Sequence, residues 1–220
     1  MKKVFIFTFI SVWFLILTVF KVDANNLTYP LIGKIIIIDP GHGGVDNGAS
    51  YKLVYEDEIN LSISLKLRNE LEKNGAAVIM TREEDYDLSR PNALYRKKSD
   101  FDNRIKLINN SGADLYLSIH LNYYGNAKYY GPQVFYVNNF EENKIIAQFI
   151  QEELNKNLNT KRVIKININT NYMYPKLNVK GALIECGFLS NPQERKNLQS
   201  DEYQEKFAQI ITSAIIKYYN

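Results

Sequence analysis

The chain has two histidines, and each of them follows an apolar run that is typical of a buried strand. His42 is separated by Asp39-Pro40-Gly41 from the run 35–38, and His120 directly follows the run 115–119. Neutral imidazole is a common zinc ligand in proteins. Two imidazoles at strand ends are therefore candidates for two ligands of one metal site. The alternative is a pair of unconnected histidines, in the core or on the surface.

Two glutamates occupy comparable positions. Glu56 stands at the start of a predicted helix, where the helix dipole favours a carboxylate. Glu185 ends the apolar run 181–184, where a buried carboxylate is costly unless it is paired or close to a metal. The alternatives are an ordinary charge at a helix N-terminus for Glu56 and a hydrogen-bonded turn for Glu185. Two histidines and one glutamate leave a fourth position open on tetrahedral zinc, which is typical of a catalytic site. A second, unligated carboxylate is the general base in this interpretation, and we predict that role for Glu185.

The elements that must position these residues alternate along the chain. Strands are predicted at 34–39, 76–81, 114–119, 133–137 and 181–185, with a less regular sixth within 162–168, and helices at 57–74, 99–110, 141–157 and 202–219. This alternation predicts an α/β fold: one domain with a twisted, mostly parallel sheet of about six strands and helices on both faces. In such sheets ligands bind outside the carboxyl ends of the strands, where both histidines fall.

The N-terminus is typical of a targeting segment. Residues 1–3 include two lysines, and residues 4–20 are apolar apart from three hydroxyl side chains. That run is long for the core of a signal peptide and short of the ~20 residues of a membrane span. We therefore expect a signal peptide or membrane anchor over 1–24, a linker over 25–33 and the catalytic domain over 34–220. The single cysteine, Cys186, excludes an internal disulfide. Together these features predict an exported protein of a bacterial envelope, bound to the membrane or secreted.

The composition indicates which classes of binding partner are expected. The hydrophobic content of 45% and the charged content of 23% are typical of a folded globular protein. The net charge of +3 is small and scattered, so we predict no nucleic-acid partner.

Four sequence blocks together resemble one known family. The blocks are Ile37-Ile38-Asp39-Pro40-Gly41-His42-Gly43-Gly44, then 56–61, 113–122 and 182–191. They resemble, in order, the motifs of the zinc-dependent N-acetylmuramoyl-L-alanine amidases, the amidase-3 family. The resemblance implies that His42, Glu56 and His120 are zinc ligands and that Glu185 is the catalytic acid/base.

The same resemblance bears on two further residues. Glu58 competes with Glu56 for the ligand role, and we prefer Glu56 because it keeps the family spacing to residues 59–61. Arg104 also falls at a family position, and we expect it to be structural and to pair with an acid.

The family reaction is hydrolysis of the amide between the lactyl group of N-acetylmuramic acid and L-alanine in peptidoglycan. The stretches 96–100, 129–136 and 159–162 further resemble the germination-specific amidases of endospore formers, which act on the spore cortex before muramic-δ-lactam forms there. We therefore expect a location in the forespore–cortex space. The alternatives are a zinc peptidase that cuts stem peptides and a non-catalytic wall-binding protein of the same fold. The sequence leaves open whether the N-terminal segment is cleaved, whether an accessory protein is needed and what the oligomeric state is.

Overall fold

The computed structural model describes residues 29–167 and 172–220. The signal peptide or anchor predicted over 1–24, and residues 25–28 of the predicted linker, lie outside the described residues. None of the helices in the described ranges is long and apolar enough to cross a membrane.

Strands and helices alternate as the sequence predicts. The strands are β1 (Ile35–Pro40), β2 (Ser50–Tyr51), β3 (Val54–Tyr55), β4 (Ala77–Met80), β5 (Leu115–Asn122), β6 (Gln133–Tyr136), β7 (Lys165–Ile166) and β8 (Gly181–Phe188). The helices are α1 (Glu56–Lys73), α2 (Arg96–Asn109), α3 (Glu141–Leu158), α4 (Pro192–Leu198) and α5 (Asp201–Tyr219), and a short 3-10 helix covers Tyr174–Lys176. The irregular sixth strand within 162–168 is present as the two residues of β7.

The main sheet has six strands in the order β4-β1-β5-β8-β6-β7. Strands β4, β1, β5 and β8 are mutually parallel, whereas β6 pairs antiparallel to β8 and parallel to β7. The prediction of a mostly parallel sheet of about six strands is thus confirmed. In the register of β5 and β8, His120 is paired with Glu185, so these two predicted site residues lie side by side on adjacent strands.

Both faces of the sheet are covered. Ile36 and Ile38 of β1 belong to the core cluster formed with α1, α3 and α5, and the intervening Ile37 packs on the other face with Ile108 of α2. This alternation follows from the two-residue period of a strand. The predicted placement of helices on both faces is confirmed.

Helix α1 shows why the spacing of apolar residues predicts the helices of this fold correctly. Ile59, Ile63, Leu67 and Leu71 are spaced four apart and are all buried. Full burial of one such side chain contributes about 1.5–3 kcal/mol, so this apolar stripe attaches the helix to the sheet. Just past the helix end, Gly75 has a φ of 94°, which a glycine adopts without a Cβ clash.

Two helices differ from the prediction. Helix α4 was not predicted, because its seven residues are mostly polar and show no apolar period. Its start is nevertheless well specified, since the Asn191 side chain accepts hydrogen bonds from the backbone N–H groups of Gln193 and Glu194, and Pro192 follows as the first helical residue. Helix α2 begins at Arg96, three residues before the predicted 99.

Candidate metal centre

The loop after β1 holds His42 in an unusual backbone conformation. Its φ of 63° lies in the left-handed region, which costs a non-glycine residue roughly 1–2 kcal/mol. Two buried arginines bind the carbonyls of this loop: Arg104 Nη2 donates to His42 O at 2.6 Å, and Arg82 Nη2 donates to Gly41 O at 3.0 Å. These hydrogen bonds stabilise the turn that carries the His42 side chain to the carboxyl edge of the sheet.

Three of the predicted site residues converge there. Glu56 Oε1, at the start of α1, lies 3.4 Å from His42 Nε2 and 3.1 Å from His120 Nδ1. One ligand atom from each of the three side chains lies within 4.8 Å of the other two, so a single ion could contact all three. Glu58 is exposed on α1 and stands outside this cluster.

Each member of the cluster is oriented by a further contact. His42 Nδ1 lies 3.1 Å from Asp46 Oδ2, and His120 Nε2 lies 3.2 Å from the Tyr174 hydroxyl. Glu56 Oε1 also accepts a hydrogen bond from Leu121 N at 3.0 Å. Such outer contacts fix the ring orientation and the tautomer of metal-ligating histidines.

The electrostatics of the cluster suit a cation. Burial opposes charging of His42, but the carboxylates of Asp46 and Glu56 outweigh it and raise the pKa of His42 to about 9. For Glu56, burial raises the pKa, yet hydrogen bonds and charge from His120 and His42 hold it well below its usual value. The ionised carboxylates therefore favour positive charge at this point. Two imidazoles with one carboxylate are also a donor set that zinc commonly takes in catalytic sites, so the residues present fit the metal.

Glu185 lies beside the cluster without joining it. It lines the same cavity as His42 and His120, and its inaccessible Oε2 atom has no hydrogen-bond partner among the described residues. Burial and the negative charge of Glu56 raise its pKa to about 8, whereas His42 acts in the opposite direction. A buried carboxyl of this pKa can accept and return a proton near neutral pH.

Sequence reasoning missed part of the supporting network. Arg104 does pair with acids, as expected, through Asp39 and Asp100. The participation of Arg82 and Tyr174 was not foreseen. Arg82 directly follows the predicted strand 76–81, so its position at the same edge of the sheet could have been predicted. The residues around Tyr174 carry no strand or helix pattern that indicates a contact with His120.

Gly48 offers a test of the packing around the cluster. Its φ is 66°, and a Cβ at this position would lie 2.6 Å from Glu56 Oε2 and 2.7 Å from His42 Cδ2. We expect Gly48→Ala to lower zinc affinity about tenfold or more, because both side chains must move. Zinc affinity is measured by competition with a chromogenic chelator.

Gly112→Ala is the matched control for this substitution. Gly112 has a φ of 69°, and a Cβ there would meet no heavy atom within 4 Å. Both variants carry the backbone strain of about 1–2 kcal/mol, but only Gly48→Ala displaces the cluster. Equal zinc affinities in the two variants would contradict the proposed arrangement.

Comparison with known proteins gives one consistent family. Residues 36–217 match the family described as N-acetylmuramoyl-L-alanine amidase. The chain is 41% identical to the germination-specific N-acetylmuramoyl-L-alanine amidase of Bacillus subtilis (strain 168), over 99% of this chain and 96% of that protein.

Solved structures resemble the fold as well. The CwlD amidase from Clostridioides difficile, in complex with the GerS lipoprotein, has a TM-score of 0.80 and 42% identity, over 84% of this chain and 98% of that one. An N-acetylmuramoyl-L-alanine amidase from Clostridium difficile 630 has a TM-score of 0.74 and 31% identity, over 84% of this chain and 96% of that one.

Proposed function

This chain belongs to the N-acetylmuramoyl-L-alanine amidase family, and we propose that it is a zinc hydrolase acting on the peptidoglycan of the spore cortex. The bond cut joins the lactyl group of N-acetylmuramic acid to L-alanine, as a step towards muramic-δ-lactam. The zinc chemistry is supported by the convergence of His42, Glu56 and His120 beside Glu185, whose Oε2 atom has no hydrogen-bond partner in the described part of the chain. The cortex as substrate is supported by the 41% identity to a germination-specific amidase.

In the proposed mechanism, separate residues bind the metal, orient its ligands and transfer the proton. His42, Glu56 and His120 would hold the zinc ion, and Asp46 and Tyr174 contact the two imidazole rings and would keep them in place. Bound zinc supplies Lewis acidity for the amide carbonyl and lowers the pKa of water. Glu185 takes the proton of the attacking water and delivers it to the leaving amine of L-alanine. The cavity beside these residues has a volume of about 340 Å³, which accommodates the acyl-alanine portion of a substrate.

The location and the partners follow from the same proposal. The protein works in the bacterial cell envelope, in the forespore–cortex space, where its N-terminal segment directs or anchors it. An accessory protein is supported by the structural relative that was solved in complex with a lipoprotein.

The proposal is tested with the full chain and purified cortex and vegetative-wall peptidoglycan, with products identified by mass spectrometry. We expect release of stem peptides with a free L-alanine amine, faster from cortex than from vegetative wall. A chelator should abolish release and added Zn²⁺ should restore it, because the ligand cluster needs the ion. Cleavage between stem amino acids would indicate the peptidase alternative. Absence of any product from zinc-loaded protein, both alone and with its candidate lipoprotein partner added, would indicate a non-catalytic protein of the same fold.

A further inference from the structure

One face of α2 forms a wall of the cavity beside the metal centre. Lys97, Asp100, Phe101 and Arg104 line this cavity together with His42 and Glu185. Their spacing of three and four residues places them on the same side of the helix. The candidate metal ligands and this face of α2 therefore share one compartment.

Among the described residues, one lysine and one arginine line this cavity, and they differ in the hydrogen bonds that their donors make. Arg104 is 2% exposed, and its guanidinium donates to Asp39, Asp100, Pro40 O and His42 O. The side chain of Lys97 is 65% exposed, and its Nζ makes a long contact of 3.5 Å with Asp46 Oδ2. Since an ammonium group has three donors, Lys97 retains the capacity to bind an anion.

The neighbours of Lys97 are engaged more closely. Arg96 Nη2 lies 2.8 Å from Asp87 Oδ2, and Lys98 Nζ lies 2.7 Å from Asp102 Oδ2. All three cations stand in the first turn of α2, where the helix dipole disfavours positive charge. The positive charge of Lys97 is therefore disfavoured by the helix dipole and only weakly compensated by Asp46. An anionic ligand in the cavity would offset this cost.

We propose that Lys97 binds a carboxylate of the stem peptide, on the second residue beyond the scissile amide. This inference rests on the proposed function, because it assigns a subsite for that substrate. A cation at this position would repel an amine of the peptide and attract a carboxylate. The subsite therefore selects acidic stem peptides.

The distances agree with this assignment. Lys97 Nζ is 3.5 Å from Asp46 Oδ2, which is itself 3.1 Å from His42 Nδ1, so the ammonium group lies two contacts from the metal-binding ring. An extended peptide advances about 3.3–3.6 Å per residue, which places a carboxylate of the second residue roughly 7 Å from the scissile bond. This length of peptide is comparable with the two contacts that separate Lys97 from the His42 ring.

The test compares two synthetic glycan substrates with stem tripeptides in which the second residue, D-glutamate, is joined to the third through its γ-carboxyl. The α-group of that second residue is a free carboxylate in one substrate and a carboxamide in the other, and the third residue is the same in both. We expect the wild type to prefer the carboxylate over the carboxamide roughly tenfold in kcat/KM, mainly through KM, because the contact lies away from the reacting atoms. Lys97→Met should remove the preference. Lys98→Met is the matched control and should keep it, since Lys98 lines a different surface hollow.

The outcomes separate the subsite from its alternatives. Equal slowing of both substrates by Lys97→Met, with the preference unchanged, would show that Lys97 acts through Asp46 on His42, and zinc affinity would fall as well. A wild type without preference would also overturn the subsite. Failure to cleave either substrate would instead contradict the proposed hydrolysis on which the subsite depends.

Discussion

Replacing Glu185 with glutamine is expected to lower kcat about 10²–10⁴-fold while zinc still binds, because the side chain that moves the proton is lost and the ligands remain. Glutamine has nearly the same shape and cannot accept the proton. The rate is measured as release of stem peptides from cortex peptidoglycan, and zinc content is measured by atomic emission after gel filtration.

The folded state should tolerate this change. Burial and the charge of Glu56 raise the pKa of Glu185 from 4.5 to about 8. The stability of the metal-free protein therefore falls as pH rises between these values, because the carboxyl ionises in the unfolded chain and stays protonated in the folded one. A neutral amide avoids this loss. We therefore expect the metal-free variant to unfold at a temperature no lower than that of the wild type.

Glu58→Gln provides the control for Glu185→Gln. Glu58 receives the same substitution, yet it is exposed on α1 and is not part of the cluster. Its hydrolysis rate should match that of the wild type. An undiminished rate in Glu185→Gln would show that another group moves the proton, and loss of zinc from that variant would show that Glu185 holds the metal.

The convergence of the site was predictable because parallel strands bring their carboxyl ends to one edge. The runs before His42 and His120 have the clear apolar signal of central strands, and Glu185 ends a third such run. The pairing of His120 with Glu185 then follows from adjacency of β5 and β8. Sequence pattern is informative here because burial on both faces leaves few alternatives for a strand of this composition.

The supporting contacts were not predictable in the same way. The positive φ of His42 leaves no pattern in the sequence, since the residue type that usually marks it is glycine. The carbonyls that Arg82 and Arg104 bind are set by that conformation. Tyr174 approaches His120 from a short 3-10 helix, which lacks a hydrophobic period. Contacts of this kind depend on the tertiary arrangement and not on local propensity.

Arg104 is the residue whose loss should destabilise the fold most. It is buried, and it links Asp39 of β1 to Asp100 of its own helix at 2.7 and 2.9 Å. We expect Arg104→Met to lower the free energy of unfolding by about 3–5 kcal/mol, because it removes the positive charge that compensates two buried carboxylates. The urea midpoint should fall while the m-value is unchanged. Arg68→Met is the control: its ion pair with Glu83 is solvent-exposed, so the expected change is about 0–1 kcal/mol.

The pH dependence distinguishes loss of the ion pair from loss of packing. Burial raises the pKa of Asp39, but the Arg104 guanidinium and hydrogen bonds from Thr81 and Arg104 outweigh it, so the pKa lies below the model-compound value of 3.8. In the wild type, ionised Asp39 therefore contributes stability above pH 3.8, and this contribution is lost as pH falls through the lowered pKa. Without Arg104, burial is opposed only by the Thr81 hydrogen bond and the charge of His120, so the pKa of Asp39 rises relative to the wild type and its ionisation contributes less stability above pH 3.8. The difference between wild type and Arg104→Met should thus be larger at pH 7 than near pH 4, whereas a deficit that is the same at both pH values would mean that Arg104 stabilises the protein by packing alone.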